Sequence, residues 1–412
     1  MRPRPESRPA GTRARAGTRL EGGAMLTRFV VALVLAVVLA ATLAGAETAA
    51  MGPQEQKPAA AAAGKQAKPP KAWPPDEATL RKRKAEAEAR PLFASQEPIE
   101  ITLTADWKTV QRDRNVESKK TYPGTLTIVK DGAAATPVPI QLRTRGHSRR
   151  SPRTCEFAPL RLELPKDGTK GTLFEGHGNI KLGVHCQSEG IYLQYMLKEY
   201  LANRLHNLLT PRSLRVRLAR VTYADSQPGR KPDTRLGLFF EDIDDLAKRM
   251  QARELSVPRQ MFRYVEQDQL MFMSMFQYMI ANTDYSILAL HNVIMLDDAR
   301  GVRLTVPYDF DYSGLVNTHY AIPFKDLKLS SVRERRWRGP CKTEADVEQA
   351  LTPFLEKKAD LLALPSTLAG LGFEAGHIRS TDKYLNEFFE IIENPGKRNK
   401  AFVTGCTTGE GM

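Results

Sequence analysis

Asp284, Asn292 and Asp309 are the side chains whose types and order suggest chemistry. Asp284 closes Asn282-Thr283-Asp284, just after an apolar run. Asn292 precedes a short strand-like stretch at 293–296, and Asp309 follows the returning stretch at 302–306, within Pro307-Tyr308-Asp309-Phe310-Asp311. A hairpin turning through Asp297-Asp298-Ala299-Arg300-Gly301 would gather two carboxylates and an amide at one end. Hard oxygen donors of this kind suit Mg2+ or Mn2+, which bind through one or two carboxylates and take further oxygens from water and phosphate. A remaining carboxylate is then free to accept the proton of an attacking hydroxyl, the division of labour used in phosphoryl transfer. Taken singly, each residue is equally a turn cap or a polar loop residue. Their order behind one helix is what gives the functional reading.

Phosphoryl transfer also needs cations. Lys181 lies on a strand pattern over 179–184, and Glu199 falls near the middle of the helical pattern that follows. A strand lysine held by a helix glutamate is one way to set positive charge on phosphates; a solvated helix-face carboxylate is the alternative. The basic turn Arg143-Thr144-Arg145-Gly146-His147-Ser148-Arg149-Arg150 suits phosphate, because arginine binds bidentately and glycine lets backbone amides approach. It reads equally as a solvated charge run. Neither G-x-G-x-x-G nor G-x-x-x-x-G-K-[ST] occurs, so the usual protein-kinase glycine loop and the P-loop NTPases find no support.

The elements that must position these residues follow from periodicity. Period-two alternation starts at Ile99 and recurs at 124–130, 138–143, 160–164, 179–184, 214–223 and 235–241, the pattern of half-buried strands. Residues 192–209 have helical spacing and stop at Thr210-Pro211. Residues 270–280 are apolar on nearly every side and carry four methionines; a soft metal site is conceivable, but core filling is the expected role. Thr343 and Asp346 form a capping-box pattern, and another helix is expected over 381–394. No internal repeat is present.

The whole chain is 412 residues, 42% hydrophobic and 26% charged, with 61 basic against 47 acidic side chains, which excludes fibrous and wholly disordered classes. The net charge is +14, but the first 28 residues hold seven arginines and two glutamates, and the +9 beyond them is compatible with polyanionic partners. Phe29 begins an apolar run of about 15 residues, ending before Ala44-Gly45-Ala46, that reads as a secretory signal within 1–46 with the true start at Met25. Retention as an N-terminal anchor is the alternative, and the sole expected route to a membrane. Residues 47–95, rich in Ala, Pro and Lys, read as a disordered linker, within which 77–89 could form a charged helix without an apolar face, and 398–412 as a mobile tail. An exported chain permits disulfides. If 159–164 and 179–185 pair with 164 facing 179, Cys155 and Cys186 lie nearly opposite beyond the strand ends, so a bond between them is expected, with two buried thiols as the alternative. Cys341 and Cys406 are left open.

Arg145-Gly146-His147-Ser148, the stretch Pro159-Leu160-Arg161-Leu162-Glu163-Leu164, Phe239-Phe240-Glu241-Asp242, Asn282-Thr283-Asp284 and Pro307-Tyr308-Asp309-Phe310-Asp311 together resemble the CotH kinase-like family, over roughly 140–317. The resemblance implies an α+β, two-lobed atypical protein-kinase-like fold: an antiparallel-sheet N-lobe with one long helix over 96–250, and a mainly helical C-lobe over 251–397. It implies phosphate transfer from ATP to Ser or Thr of secreted or surface proteins, in the periplasm or outside the cell. Carried over by position, Asp284 is the catalytic aspartate and Asn292 and Asp309 hold Mg2+ or Mn2+. Lys181 and Glu199 form the ion pair, Arg145 belongs to the phosphate-binding turn, and Phe240, Glu241 and Asp242 form the hinge beside adenine. The second reading is an envelope interaction protein that keeps the fold without turnover. Nucleic-acid binding through basic clusters at 143–153 and 333–338 is not expected, because the second cluster lacks alternating aromatic and basic residues.

Overall fold

The computed structural model describes residues 72–257 and 260–406. The alternating segments form strands β1 (Ile99–Ala105), β2 (Tyr122–Lys130), β3 (Ala133–Ala134), β4 (Val138–Thr144), β5 (Leu160–Glu163), β6 (Asn179–Gly183), β7 (Val216–Asp225) and β8 (Asp233–Phe240). Their order is β1-β7-β8-β6-β5-β4-β2-β3, and β1 also pairs with β2, so seven strands close into a barrel with β3 as an appendix. The β1–β7 pairing is parallel, with Ile101 opposite Val221, whereas β1–β2 is antiparallel, with Leu103 opposite Leu126. Alternate residues point inward, and Ile101, Leu103, Leu126, Leu142, Leu162, Leu182, Val221 and Phe239 fill the interior.

This closed mixed barrel corrects the expected two-lobed kinase-like fold with an antiparallel-sheet N-lobe. Closure leaves the barrel strands no open edge, and β1 finds partners on both sides. The long helix, α3 (Gly190–Leu209), packs outside the barrel, where Met196, Leu201 and Leu205 share a core with Val216, Leu218, Leu236 and Leu238 of β7 and β8. That core runs on without a break into helices of the C-terminal half, through Met275, Phe354, Tyr384, Phe388 and Phe402.

Two shorter helices precede and follow the first strands of this arrangement: α1 (Glu77–Glu88) and α2 (Trp107–Arg112). The charged helix considered over 77–89 forms as α1, and order continues past it. Past α1, Leu92 and Phe93 are buried in the barrel core, so the disordered linker expected over 47–95 gives way to structure where two apolar side chains find a site. The signal segment and residues 47–71 lie outside the described residues.

Helix α4 (Ile243–Arg249) leads to a second sheet of β9 (Ala252–Glu254), β10 (Val293–Asp298) and β11 (Arg303–Pro307), in the order β11-β10-β9. Helix α5 (Gln267–Met279) is buried on most sides; its Met271, Met275 and Met279 join the main core, and Met273 packs with Val293 and Met295. Then come α6 (Glu344–Glu356), α7 (Lys358–Ala363), α8 (Ala375–Glu393) and α9 (Pro395–Asn399). Thr343 and Asp346 make the reciprocal capping box at the start of α6.

The C-terminal stretch expected to be mobile is ordered through Cys406, because Phe402 is fully buried against Tyr278 and Trp337. Cys155 bonds to Cys186 and Cys341 to Cys406, with Cα atoms 4.5 and 5.7 Å apart. The β5–β6 register is one residue from the expected one: Glu163, not Leu164, faces Asn179. Two disulfides point to an oxidising, extracytoplasmic environment. Among the described residues, no helix is long and apolar enough to cross a membrane.

Candidate functional site

The loop after α5 is built from its own polar side chains. Asn282 Oδ1 accepts from the Asp284 amide at 3.0 Å, closing an Asx turn, while Asn282 Nδ2 donates to Gln277. Arg338, almost fully buried, donates to the carbonyls of Thr283 and Tyr285 and pins the loop from below. A bridge between Ser286 and His291 folds the loop back toward β10. Val293 faces Pro307 across the β10–β11 hairpin, and the Tyr308 amide donates to the Asn292 carbonyl at 3.1 Å, so the residues on either side of the hairpin meet.

Asp284 is held on both oxygens. Asn292 Nδ2 donates to Oδ2 at 3.0 Å and to the Asp284 carbonyl at 2.8 Å, and His291 Nε2 lies 3.0 Å from Oδ1. Asn292 and Asp309 both have left-handed backbones, φ 52° and 61°. Asn and Asp tolerate that region better than other side chains, and such strain concentrates where a side chain must be aimed.

A cleft of about 620 Å3 opens above these residues, within the range of small-molecule sites. Asp284, Asn292 and Asp309 line one side; Arg145, Lys181 and Phe240 reach it from the barrel, and Glu199 from α3. Its charge is arranged around Arg149, whose Nη2 lies 2.7 Å from Asp311, 3.3 Å from Glu199 and 3.9 Å from Asp309. Tyr320 adds a hydroxyl donor to Asp311 at 3.1 Å.

The titration of this cluster follows from the unequal count of one arginine and three carboxylates. Burial opposes ionisation of Asp311, yet Arg149 beside it holds its carboxyl below the ordinary value. Burial raises Glu199 despite the same arginine. Asp309 is reachable from the cleft, but its recess and then the Asp311 carboxylate push it well above the usual carboxylate range. Burial, followed by Arg145, lowers Lys181. A divalent cation beside Asp309 would offset the repulsion from Asp311 and favour its ionised form. Asn292 spends its amide nitrogen on Asp284 and keeps its carbonyl oxygen for other uses. Among the described residues no three His, Cys, Asp or Glu side chains form a ready metal cage. Asp309 and the Asn292 carbonyl oxygen line the same cleft, and a cation held there would draw its remaining ligands from water and phosphate.

The expected ion pair between Lys181 and Glu199 does not form: Glu199 is paired with Arg149, and no carboxylate lies within ion-pair distance of Lys181 among the described residues. The expected hinge divides. Phe240 and Glu241 both line the cleft, with the Glu241 carboxylate fully buried between Arg215 at 2.8 Å and Arg249 at 2.7 Å, whereas Asp242 is absent from the lining and caps α4 by accepting from the Asp244 amide. From sequence Arg149 reads only as part of the basic turn and Asp311 only as the second carboxylate of its motif, each without a role of its own, and His291 is not singled out. Asp311 repeats the spacing of Asp309 by two and His291 adjoins Asn292, but nothing local shows that Arg149 rather than Lys181 would meet Glu199. The other basic cluster is internally engaged, with Arg333 and Arg335 stacked on Tyr384 and Arg338 holding the Asp284 loop. No family model and no curated protein matches the chain.

Proposed function

We propose that this cleft transfers phosphate from a nucleoside triphosphate, ATP on the CotH resemblance, to a hydroxyl of an extracytoplasmic acceptor, Ser or Thr of a secreted or surface protein. The observation that carries the reading is the division of one cleft into two charge fields: Arg145 and Lys181 on the barrel side, neither with a carboxylate within 4 Å among the described residues, and Asp284, Asp309 and Asp311 opposite, where Arg149 meets Asp309 and Asp311 and His291 meets Asp284. The cationic side suits polyphosphate and the acidic side a divalent cation.

In this reading Asp284 accepts the proton of the incoming hydroxyl at a carboxylate oxygen, oriented by Asn292 and His291. Asp309 and the Asn292 carbonyl oxygen hold Mg2+ or Mn2+, which when bound neutralises charge on the phosphates. Lys181 and Arg145 orient the phosphate chain, Phe240 flanks the donor, and Arg149 keeps Glu199 and Asp311 in place. Residues 1–46 deliver the chain for export. One observation favours the envelope interaction reading without turnover: Arg149 already neutralises part of the acidic field that a cation would use.

A thermal-shift titration decides between them. ATP with Mg2+ or Mn2+ should stabilise the protein by about 2.7 kcal/mol at a hundredfold excess over Kd. The shift should vanish without metal and in Asp309→Ala. A metal-dependent shift that persists in Asp309→Ala removes the assigned site, and no shift at all for well-folded protein leaves the interaction reading.

A further inference from the structure

Arg161 stands directly opposite Lys181 on neighbouring strands, and Arg143 stands opposite Arg161 on the other side, so three cations form a row across β4, β5 and β6. The outermost is matched, since Arg143 lies 3.5 Å from Glu163. Arg161 and Lys181 are not: among the described residues neither has a carboxylate within 4 Å or a side-chain hydrogen bond, and the Arg161 Nε is buried without a partner. Like charges directly across a ladder destabilise it, and a buried donor without an acceptor adds to that. The row is arranged for an anion that the protein itself does not provide.

Lys181 faces the cleft described above, whereas Arg161 opens into a second recess of about 190 Å3 whose charged lining is Arg90, Lys248, Asp242 and Asp245, with His177 beside them. Both acids of this recess are engaged: Asp245 meets Arg90 at 3.2 Å and Lys248 at 3.3 Å, and Asp242 accepts from the Asp244 amide at the start of α4; Lys248 is in turn held by Asp244 at 2.5 Å. His177 is 2% exposed and neither ring nitrogen has a hydrogen-bond partner; Asp245, the nearest carboxylate, is 3.7 Å away. Burial lowers its pKa to about 4, so near neutral pH it presents one N–H. Gly176 has φ 81°, a left-handed backbone that favours glycine, and it lies against the Arg90 guanidinium.

We infer that Arg161, with His177, forms a second oxyanion subsite for a phosphate-class group, adjoining the main cleft through Lys181. The inference rests on the proposed phosphoryl-transfer reading for its place in a reaction, but not for the binding itself, which requires no metal. The group is either the terminal phosphate of the nucleotide or a phosphate carried separately, for instance on the acceptor.

Isothermal titrations of the full chain with inorganic tripolyphosphate, without metal, test it. Arg161→Gln should weaken binding at least tenfold, Arg161→Lys should retain most of it, and Arg161→Gln should melt no lower than the parent in phosphate-free buffer, since it removes a repulsion. Loss of affinity for ATP with unchanged affinity for ADP assigns the subsite to the nucleotide's terminal phosphate. Unchanged ATP affinity, with loss of inorganic phosphate binding at saturating ATP, assigns it to a separate phosphate. If Arg161→Gln leaves tripolyphosphate, ATP and phosphate binding unaltered, or if it lowers the melting temperature as a structural arginine would, the subsite does not exist. Arg161-dependent tripolyphosphate binding in a protein that gives no metal-dependent ATP shift would retain the subsite and discard the phosphoryl-transfer reading.

Discussion

Arg149 is the side chain on which the electrostatics of the cleft turn. Glu199 and Asp311 are each about nine-tenths buried, and this one guanidinium is within ion-pair distance of both. Removing one partner of such a pair leaves uncompensated buried charge, so Arg149→Gln should destabilise the protein by about 3 to 5 kcal/mol near neutral pH. The pH dependence has a definite sign. Without the arginine, burial and mutual repulsion raise the folded-state pKa values of Glu199 and Asp311 above their unfolded values, so the native state binds the extra protons. That contribution is present below the unfolded carboxylate range and is lost as pH rises through the raised values. Denaturant unfolding at pH 5 and pH 8 should therefore show a smaller deficit for Arg149→Gln at pH 5; an equal deficit at both would mean that Arg149 acts by packing rather than charge.

At the scale of elements, the Cys155–Cys186 disulfide connects the turn that carries Arg149 to the end of β6, the strand that carries Lys181. Closing a loop of 31 residues is worth about 3 to 4 kcal/mol in the chain-entropy account. Cys155→Ser/Cys186→Ser should lose that much stability and also hydrogen-exchange protection over 145–155. Cys341→Ser/Cys406→Ser, whose bond closes 65 residues far along the chain, should lose stability without altering protection there. Loss of protection at 145–155 in both variants would mean that the turn is held by global stability rather than by its own crosslink. Elements of this size were largely legible in the sequence. The β10–β11 hairpin follows from two short apolar stretches around an Asp/Gly turn, and α5 from its continuous apolar face. The β5–β6 register slipped by one because the long 165–178 connection does not fix it as a two-residue turn would. Leu92 and Phe93 were passed over because two apolar residues in a polar stretch show no periodicity.

The whole molecule was the least legible scale. Alternation assigns each strand two faces, but not its neighbours, and nothing in the pattern of β1 shows that it pairs with β7 on one side and β2 on the other. The same limit hid the dependence of the barrel on residues before it. Arg217, nearly buried on β7, donates to the carbonyls of Leu92 and Glu97, and Arg215 reaches the carbonyls of Ala87 and Glu88, so the segment ahead of β1 satisfies two guanidiniums as well as burying Leu92 and Phe93. A chain starting at Ile99 would strand those donors and open a cavity against the barrel, whereas one starting at residue 72 keeps them. Phe93→Ala alone should cost about 3 to 5 kcal/mol, and the chain from Ile99 at least as much, while the chain from residue 72 should unfold in one transition close to that of the full protein. Guanidinium unfolding of the three proteins checks this. Equal stability of the chains beginning at 72 and at 99 would show that α1 and its following turn rest on the barrel without supporting it.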